Sequence, residues 1–289
     1  MIIRLSGGLG NQMFQYAMGR AVSEAKGEKL YIDTYGFKRD PQREYALGNY
    51  PIKAEILKGI KNLWYIILFY GNRKLHFAKP GKKKAGIYIE NGFFQYEELV
   101  NNKARFYEGC WQNIRYFERI KCDLAEELDG GKQLGESCRS LHQRILETTS
   151  VAVHVRRGDY LTYNNQTIYA MPSQDYYRKA MAYIRTNTKN PVFYFFSDDM
   201  EWCKKEFALE DSCVISSDLE KSSQEDLYLM QSCKHHIIAN SSFSWWAAYL
   251  GKKEESIQIA PEKWYVEEKV NEMVKEAILN GFKLIGCDE

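Results

Sequence analysis

The chain has 289 residues, 45% apolar and 27% charged, and its 40 Lys and Arg against 38 Asp and Glu leave a net charge of +2. That length fits one large core or two medium domains, and the 21 Tyr, 14 Phe and 6 Trp exclude a disordered chain. The near-neutral balance argues against the overall basic field of a nucleic-acid binder, so no nucleic-acid partner is expected.

Met1 is followed by neither a basic n-region nor a small-residue cleavage site. The most continuous apolar run, Leu63 to Tyr70, covers eight residues. A bilayer span needs about 20. The expectation is a soluble cytoplasmic protein, at most peripheral at the inner membrane face. Ile2 to Leu5 predicts a short strand and Gly7 to Gly10 a turn. Apolar residues at 14, 17, 18, 21, 22 and 25 then predict one face of a helix, with Gly27 placed to end it as a C′ glycine. Lys29 to Asp33 predicts the second strand of a βαβ unit.

From about 34 to 149 the pattern is less regular. It predicts helices at about 56–70, 113–121 and 137–147, a strand over Arg105–Glu108, and exposed loops at Lys82–Lys84 and Asp129–Gly131. The basic, aromatic stretch from Lys58 to Lys84 reads as a partly solvated helix, with a peripheral membrane contact as the minor alternative. From Ser150 onward strands alternate with helices. Strands are predicted at Val151–Val155, Val192–Phe196, Val214–Ile215, His236–Ala239 and Ile257–Ala260. Ser173 starts a helix carrying Tyr177, Ala180, Met181 and Ile184, and Ser222 with Glu225 forms a capping box. Such alternation predicts a parallel sheet covered on both faces. The fold class is therefore α/β, with two domains, 1–149 and 150–289, and ligand bound where strand carboxyl ends face a cleft.

Seven cysteines without a C-x-x-C pair predict mostly buried, reduced thiols and neither a zinc knuckle nor a thioredoxin-type motif. The adjacent His235 and His236 point to opposite faces of a strand and are a poor metal site.

Four segments carry chemistry. In Val151–Tyr160, alternation sends Val151, Val153 and Val155 one way and His154 and Arg156 the other. Two adjacent arginines, Arg156 and Arg157, at a strand end suit a diphosphate, because the guanidinium fork binds two oxygens and keeps its charge. Gly158 permits a tight turn, and Asp159 can bond back to the loop or pair with an arginine. A structural Arg–Asp pair is the competing reading. In Ile237–Gly251, Asn240, Ser241 and Ser242 lead into a helix whose first N–H groups form an anion site, while Trp245 and Trp246 are core. Phe193–Asp199 ends a strand on two carboxylates: Asp198 can contact a nucleobase or ribose, and Asp199 caps the next helix. D-x-D spacing is absent, since Met200 follows, so no metal is expected. Finally, Gly7–Met13 is neither a dinucleotide fingerprint nor a P-loop, but lets a ligand approach the backbone.

Taken together and in order, Gly-Gly-Leu-Gly-Asn-Gln-Met-Phe-Gln-Tyr-Ala, His-Val-Arg-Arg-Gly-Asp-Tyr, Phe-Ser-Asp-Asp and Ile-Ala-Asn-Ser-Ser-Phe-Ser-Trp-Trp resemble the bacterial α-1,2-fucosyltransferases of glycosyltransferase family 11. The resemblance runs from about Ile2 to Trp264, is poorest between about 34 and 104, and includes Pro261 and Trp264. It implies a GT-B-like fold of two Rossmann-like domains facing a cleft, with residues 1–149 on the acceptor side and 150–289 binding GDP-β-L-fucose. It also implies inverting transfer to the 2-hydroxyl of a terminal galactose, without metal or other cofactor. The natural acceptor, an O-antigen or capsule unit or a free oligosaccharide, stays open.

By the same resemblance, Arg156 holds the donor diphosphate, with His154, Arg157 and Asp159 around it and Asp198 at guanine or ribose. Asn240, Ser241, Ser242, Phe243 and Ser244 lie at the phosphates, and Gly8, Asn11 and Gln12 in the amino-terminal loop. His154, Arg156 and Asp159 are the catalytic candidates. The base is open between Asp159 and His154, with Asp33 an outside candidate. Ala247 departs from an expected glycine. Transfer to another linkage and a non-catalytic glycan-binding protein are the alternatives.

Overall fold

The computed structural model describes residues 1–40, 43–58, 63–64, 67, 80–81, 86–131, 134–158, 166–207, 213–215 and 222–286. The chain forms two compact units, Met1–Asp129 and Gly130–Glu289. The second unit thus begins some way before the expected boundary at residue 150. The helix Glu136–Glu147 packs on the second unit, where the His142 ring lies 5.1 Å from Tyr228 and Gly135 N–H donates to Glu225 at 2.8 Å.

The first unit holds strands β1 (Ile2–Arg4), β2 (Tyr31–Asp33), β3 (Glu55–Ile56), β4 (Ile87–Ile89) and β5 (Phe106–Glu108). They pair in parallel in the order β3-β2-β1-β5-β4. Helix α1 (Leu9–Ala25) starts inside the glycine cluster, with Gly8 as N-cap, so the expected turn is shorter than predicted. Its end follows the sequence reading. Gly27, at φ +63°, donates to Glu24 O at 3.0 Å and Glu28 donates to Ser23 O at 2.9 Å, the paired bonds of a Schellman stop.

Where a helix was expected at 113–121, two 3₁₀ turns, Ile114–Tyr116 and Glu118–Ile120, run into α2 (Lys121–Glu127). Phe117 between them has φ −134°, which no continuous helix tolerates. The helix expected over 56–70 is overtaken at its start by β3. Of its remainder, 59–62, 65–66 and 68–70 lie outside the described residues, as do Lys82–Lys84.

The second unit adds α3 (Glu136–Glu147), β6 (Thr149–Val155), α4 (Gln174–Asn187), β7 (Pro191–Ser197), α5 (Met200–Phe207), β8 (Cys213–Ile215), α6 (Ser223–Ser232), β9 (His235–Ile237), α7 (Ser242–Gly251), β10 (Gln258–Pro261), α8 (Glu268–Ile278) and β11 (Lys283–Ile285). Its sheet runs β8-β7-β6-β9-β10-β11, every pairing parallel. Numbered by appearance within the unit this is 3-2-1-4-5-6, the doubly wound order, whose switch point lies between β6 and β9. The predicted strand and cap positions hold: Ser173 accepts from Tyr176 N–H, and Ser222 and Glu225 make both bonds of a capping box. Val151, Val153 and Val155 are fully buried with Tyr176, Phe193 and Ile237, each worth roughly 1.5–3 kcal/mol in burial.

Two Rossmann-like parallel-sheet units in one chain are the GT-B-like α/β class that the sequence predicted. Among the described residues no helix is long and apolar enough to cross a membrane. Cys138, Cys203 and Cys233 are buried free thiols, whereas Cys122 is exposed and Cys110 and Cys213 are intermediate.

Candidate active site

In the second unit the sequence motifs converge on the carboxyl ends of β6, β7 and β9. Strand β6 is buried on both faces, and in parallel pairing His154 sits opposite Phe196 and Val155 opposite Ser197. The next residue, Arg156, therefore emerges beside Asp198. Its Nη1 lies 2.9 Å from Asp198 Oδ2, with both side chains about a quarter exposed. The other oxygen, Oδ1, accepts the backbone N–H of Arg157 at 2.9 Å. Asp198 was expected at guanine or ribose; here it orients Arg156. Gly158 is required by this arrangement, because a Cβ there would stand 2.9 Å from Asp198 Oδ2.

Arg157 is held differently. Its Nε donates to Asp199 Oδ2 at 3.2 Å and its guanidinium lies 4.4 Å from the centre of the Trp202 ring. Asp199 Oδ1 also takes the Trp202 N–H at 3.1 Å, so it caps α5 as expected. The two arginines thus divide: Arg157 is fixed by ring and carboxylate, while Arg156 stands at the switch point. Asp159 lies outside the described residues.

His154 is 5% exposed, its ring centred 5.8 Å from that of Phe243. Burial, with the nearby Arg156 charge, pushes its pKa down to about 3. Its Nδ1 is buried without a hydrogen-bond partner among the described residues. A neutral imidazole of such low proton affinity is a poor general base near neutral pH.

Across the switch point β9 leads into α7. Its N-cap is Ser241, one of the three residues expected to lead into the helix, and its Oγ accepts from Phe243 N–H at 3.4 Å. The macrodipole gives the start of α7 a partial positive charge that favours an anion there. Trp245 and Trp246 are fully buried, and Trp245 Nε1 donates to Ile278 O at 2.6 Å. Ala247 is buried too; the close approach to α6 occurs at Gly251, where a Cβ would lie 2.3 Å from Gln231 O. Asn240 differs from expectation. Its Nδ2 donates to Ala170 O at 2.9 Å and Trp264 O at 3.0 Å, which commits both amide hydrogens to neighbouring backbone. His235 accepts Ile257 N–H at 3.1 Å, and His236 Nε2 lies 3.0 Å from Met230 O, so both are structural.

In the first unit, Gly8 leaves α1 without a side-chain cap. Asn11 accepts from Gln112 Nε2 at 3.0 Å, which joins the first turn of α1 to the loop after β5. Gln12 is fully buried and spent on backbone: its amide donates to Gly7 O and Glu44 O and accepts Ala46 N–H. It shapes the loop and presents no group to a donor. Asp33 is 1% exposed, with Oδ2 taken by both Nε and Nη2 of Arg4 and Oδ1 by Tyr35 N–H, so it has no role as a base.

Two residues of this unit escaped the sequence reading. Gln15 bonds Ser6 and Gly109 O; its partner to Gln12 on the same helix face was the signal. Glu90, just past β4, accepts the N–H groups of Cys110 at 2.6 Å and Trp111 at 3.0 Å, and burial pushes its pKa up to about 7. Trp111 has φ +57°, a conformation rare for a bulky residue. No local pattern announces such a carboxylate.

A doubly wound sheet with an arginine and a helix N-terminus on either side of its switch point is a site for an anionic, nucleotide-like ligand. The family model for glycosyl transferase family 11 matches residues 72–283, and the chain belongs to that family of glycosyltransferases. It is 34% identical to an alpha-1,2-colitosyltransferase of Escherichia coli over 94% of each chain. It is 29% identical to the O-antigen biosynthesis glycosyltransferase WbnK of Escherichia coli, over 96% of this chain and 98% of that one. It is 36% identical to the galactoside 2-alpha-L-fucosyltransferase Sec1 of Mus musculus over 86% of this chain and 63% of the mouse protein.

Proposed function

We propose that the protein transfers L-fucose, or a closely related 6-deoxy-L-hexose such as colitose, from its GDP conjugate to the 2-hydroxyl of a galactose-terminated glycan, with inversion and without a metal. The observation that carries this reading is Arg156, held by Asp198 at the end of β6, the strand that pairs with β9, which leads into α7. The named activities of the bacterial and mouse relatives support the donor class and the linkage.

In the reaction the acceptor oxygen attacks C1 of the donor sugar. The C1–O bond to the β-phosphate breaks with its electron pair remaining on GDP, and the hydroxyl proton passes to a base. Negative charge grows on the leaving phosphate, and Arg156 with the first N–H groups of α7 stabilises it without reorganising. His154 packs beside them as a neutral wall. Its low basicity and the double tie on Asp33 leave Asp159 as the base candidate. In this reading residues 130–289 bind the donor and the first unit faces the acceptor, in the cytoplasm.

Incubating the protein with GDP-fucose and lactose in EDTA, followed by linkage analysis, tests the proposal. An α-1,2-fucosylated product is expected. Another linkage would shift the reading to the alternative transferase, and activity that EDTA abolishes and Mg²⁺ or Mn²⁺ restores would overturn metal independence.

A further inference from the structure

Beyond β10 the chain makes a short antiparallel ribbon with the segment that precedes α4. Tyr169 bridges Tyr265, Ala170 N–H donates to Trp264 O at 3.1 Å, and Val266 N–H donates to Ile168 O at 3.0 Å. Two buried asparagines fix this ribbon. Asn240 donates to Ala170 O and Trp264 O, and Asn271 accepts the N–H groups of Trp264 and Tyr265, both at 2.9 Å, while donating to Tyr265 O at 2.9 Å. Asn240 immediately precedes Ser241, the N-cap of the anion-binding turn. The ribbon is therefore in rigid register with the place proposed for the diphosphate.

The ribbon presents an aromatic surface. The Tyr169 and Tyr265 rings are half-buried, 5.3 Å apart and inclined at 39°, on the face opposite Trp264. Tyr265 N–H and C=O are taken by Asn271, and Ala170 O and Trp264 O by Asn240, so beside the two phenol hydroxyls the ribbon offers mainly ring faces. A nucleobase is read through its polar edges; a deoxysugar has a side with only C–H groups and a methyl. The ribbon follows β10 and is tied to Asn240 after β9, whereas Arg156 and Asp198 follow β6 and β7, on the other side of the switch point in the strand order. A donor whose diphosphate lies between Arg156 and α7 has its nucleoside on one side of that point and its hexose on the other.

We propose that Tyr169 and Tyr265 form the platform for the C5-methyl side of the transferred 6-deoxyhexose, and that Asn240, rather than touching the donor, positions this platform against the phosphate-binding turn. The inference rests on the GDP-sugar donor proposed above.

The test compares turnover with GDP-β-L-fucose and GDP-β-L-galactose, which differ by one hydroxyl at C6, and the affinity for GDP by calorimetry. Apolar pockets discriminate at this level by on the order of 10–100-fold. The wild type should prefer the fucosyl donor by that margin. Tyr265→Ala and Tyr169→Ala should reduce the preference to about 3-fold or less, with GDP affinity changed by less than about 3-fold, and Tyr265→Phe should restore the preference. Asn240→Asp should likewise raise the KM for the sugar donor more than the Kd for GDP. Tyr265→Leu serves if an alanine variant fails to fold. A preference that survives in folded Tyr variants, or a tenfold loss of GDP affinity with the preference intact, overturns the inference. A wild type that binds GDP without discriminating between the two donors overturns the inference alone; a wild type that does not bind GDP removes the donor reading as well.

Discussion

Asp198 grips Arg156 and the Arg157 backbone at once: Oδ2 lies 2.9 Å from Arg156 Nη1 and Oδ1 accepts the Arg157 N–H at 2.9 Å. One carboxylate at the end of β7 therefore fixes both the side chain and the turn at the end of β6. The ion pair, a competing reading in the sequence, is present, and the proposed donor site is built on it. A cation held in place before its anion arrives costs little to reorganise, which is the condition for strong electrostatic stabilisation.

Replacing Arg156 should remove one such interaction, so Arg156→Ala should lower kcat by on the order of 10²–10³. Arg156→Lys should recover only a small part, since a point charge cannot reproduce the fork. Trp246→Phe, a change in a fully buried ring, should act mainly on the melting temperature. Steady-state kinetics beside thermal melts separates the two, and an Arg156→Ala enzyme as active as wild type would refute the donor site.

Gly158→Ala should mimic a milder form of the same lesion. Its methyl would meet Asp198 Oδ2 at 2.9 Å, in a carboxylate already paired with Arg156. We expect kcat to fall by roughly tenfold, a fraction of the loss of a full contact, with little change in melting temperature. Unchanged kcat would show that Asp198 can shift without disturbing Arg156.

Acid should weaken the second unit through its histidines. The pKa values of His154 and His236 are lowered by burial, to about 3 and about 4, against an ordinary value of 6.5. Between those values the unfolded chain binds protons that the folded chain does not, so stability falls as the pH drops below about 6.5. His154→Gln should flatten that slope in denaturant titrations from pH 7 to pH 4; an identical slope would exclude burial of a neutral imidazole.

Glu90 works in the opposite direction in the first unit. Its pKa is raised to about 7 by burial, against the two N–H bonds that lower it. Protonated when folded and ionised when unfolded, it contributes stability at pH 4.5 that is lost as the pH rises through about 7. Glu90→Gln should remove this loss, giving a melting temperature less sensitive to pH between 5 and 8. A wild-type profile retained by the variant would place the titrating group elsewhere.

The second unit was legible because its signals are local. Valine alternation fixed β6, and a serine three residues from a glutamate fixed the start of α6. The first unit was harder to read. Ile87–Ile89 and Glu55–Ile56 are strands of three and two residues, too short to show a period, and exist because neighbouring strands pair with them. Around Ile114–Ile120 the apolar spacing of a helix is present, but side-chain bonds such as Asn113 to Arg115 N–H break it into tight turns. In the site, the sequence placed Arg156 at the end of β6 and Ser241 at the start of α7, where the structure has them. That Asn240 spends its amide hydrogens on Ala170 O and Trp264 O was not legible, because a scaffold amide and a ligand-binding amide look alike in one dimension.

Sequence by itself determined which chemistry the chain carries: two arginines after an apolar strand, a serine turn before a tryptophan-rich helix, and the ordered motifs of glycosyltransferase family 11. Only the tertiary structure decided which of those groups are spent on the scaffold. Partners of Asp198, Gln12, Asp33 and Asn240 lie between 2 and 70 residues away along the chain, and some of those separations close only when parallel strands pair. Hydrogen bonding saturates at a few partners per polar atom. Whether a carboxylate or amide is spent on the fold is therefore a property of its neighbours in space, and those are set by the sheet.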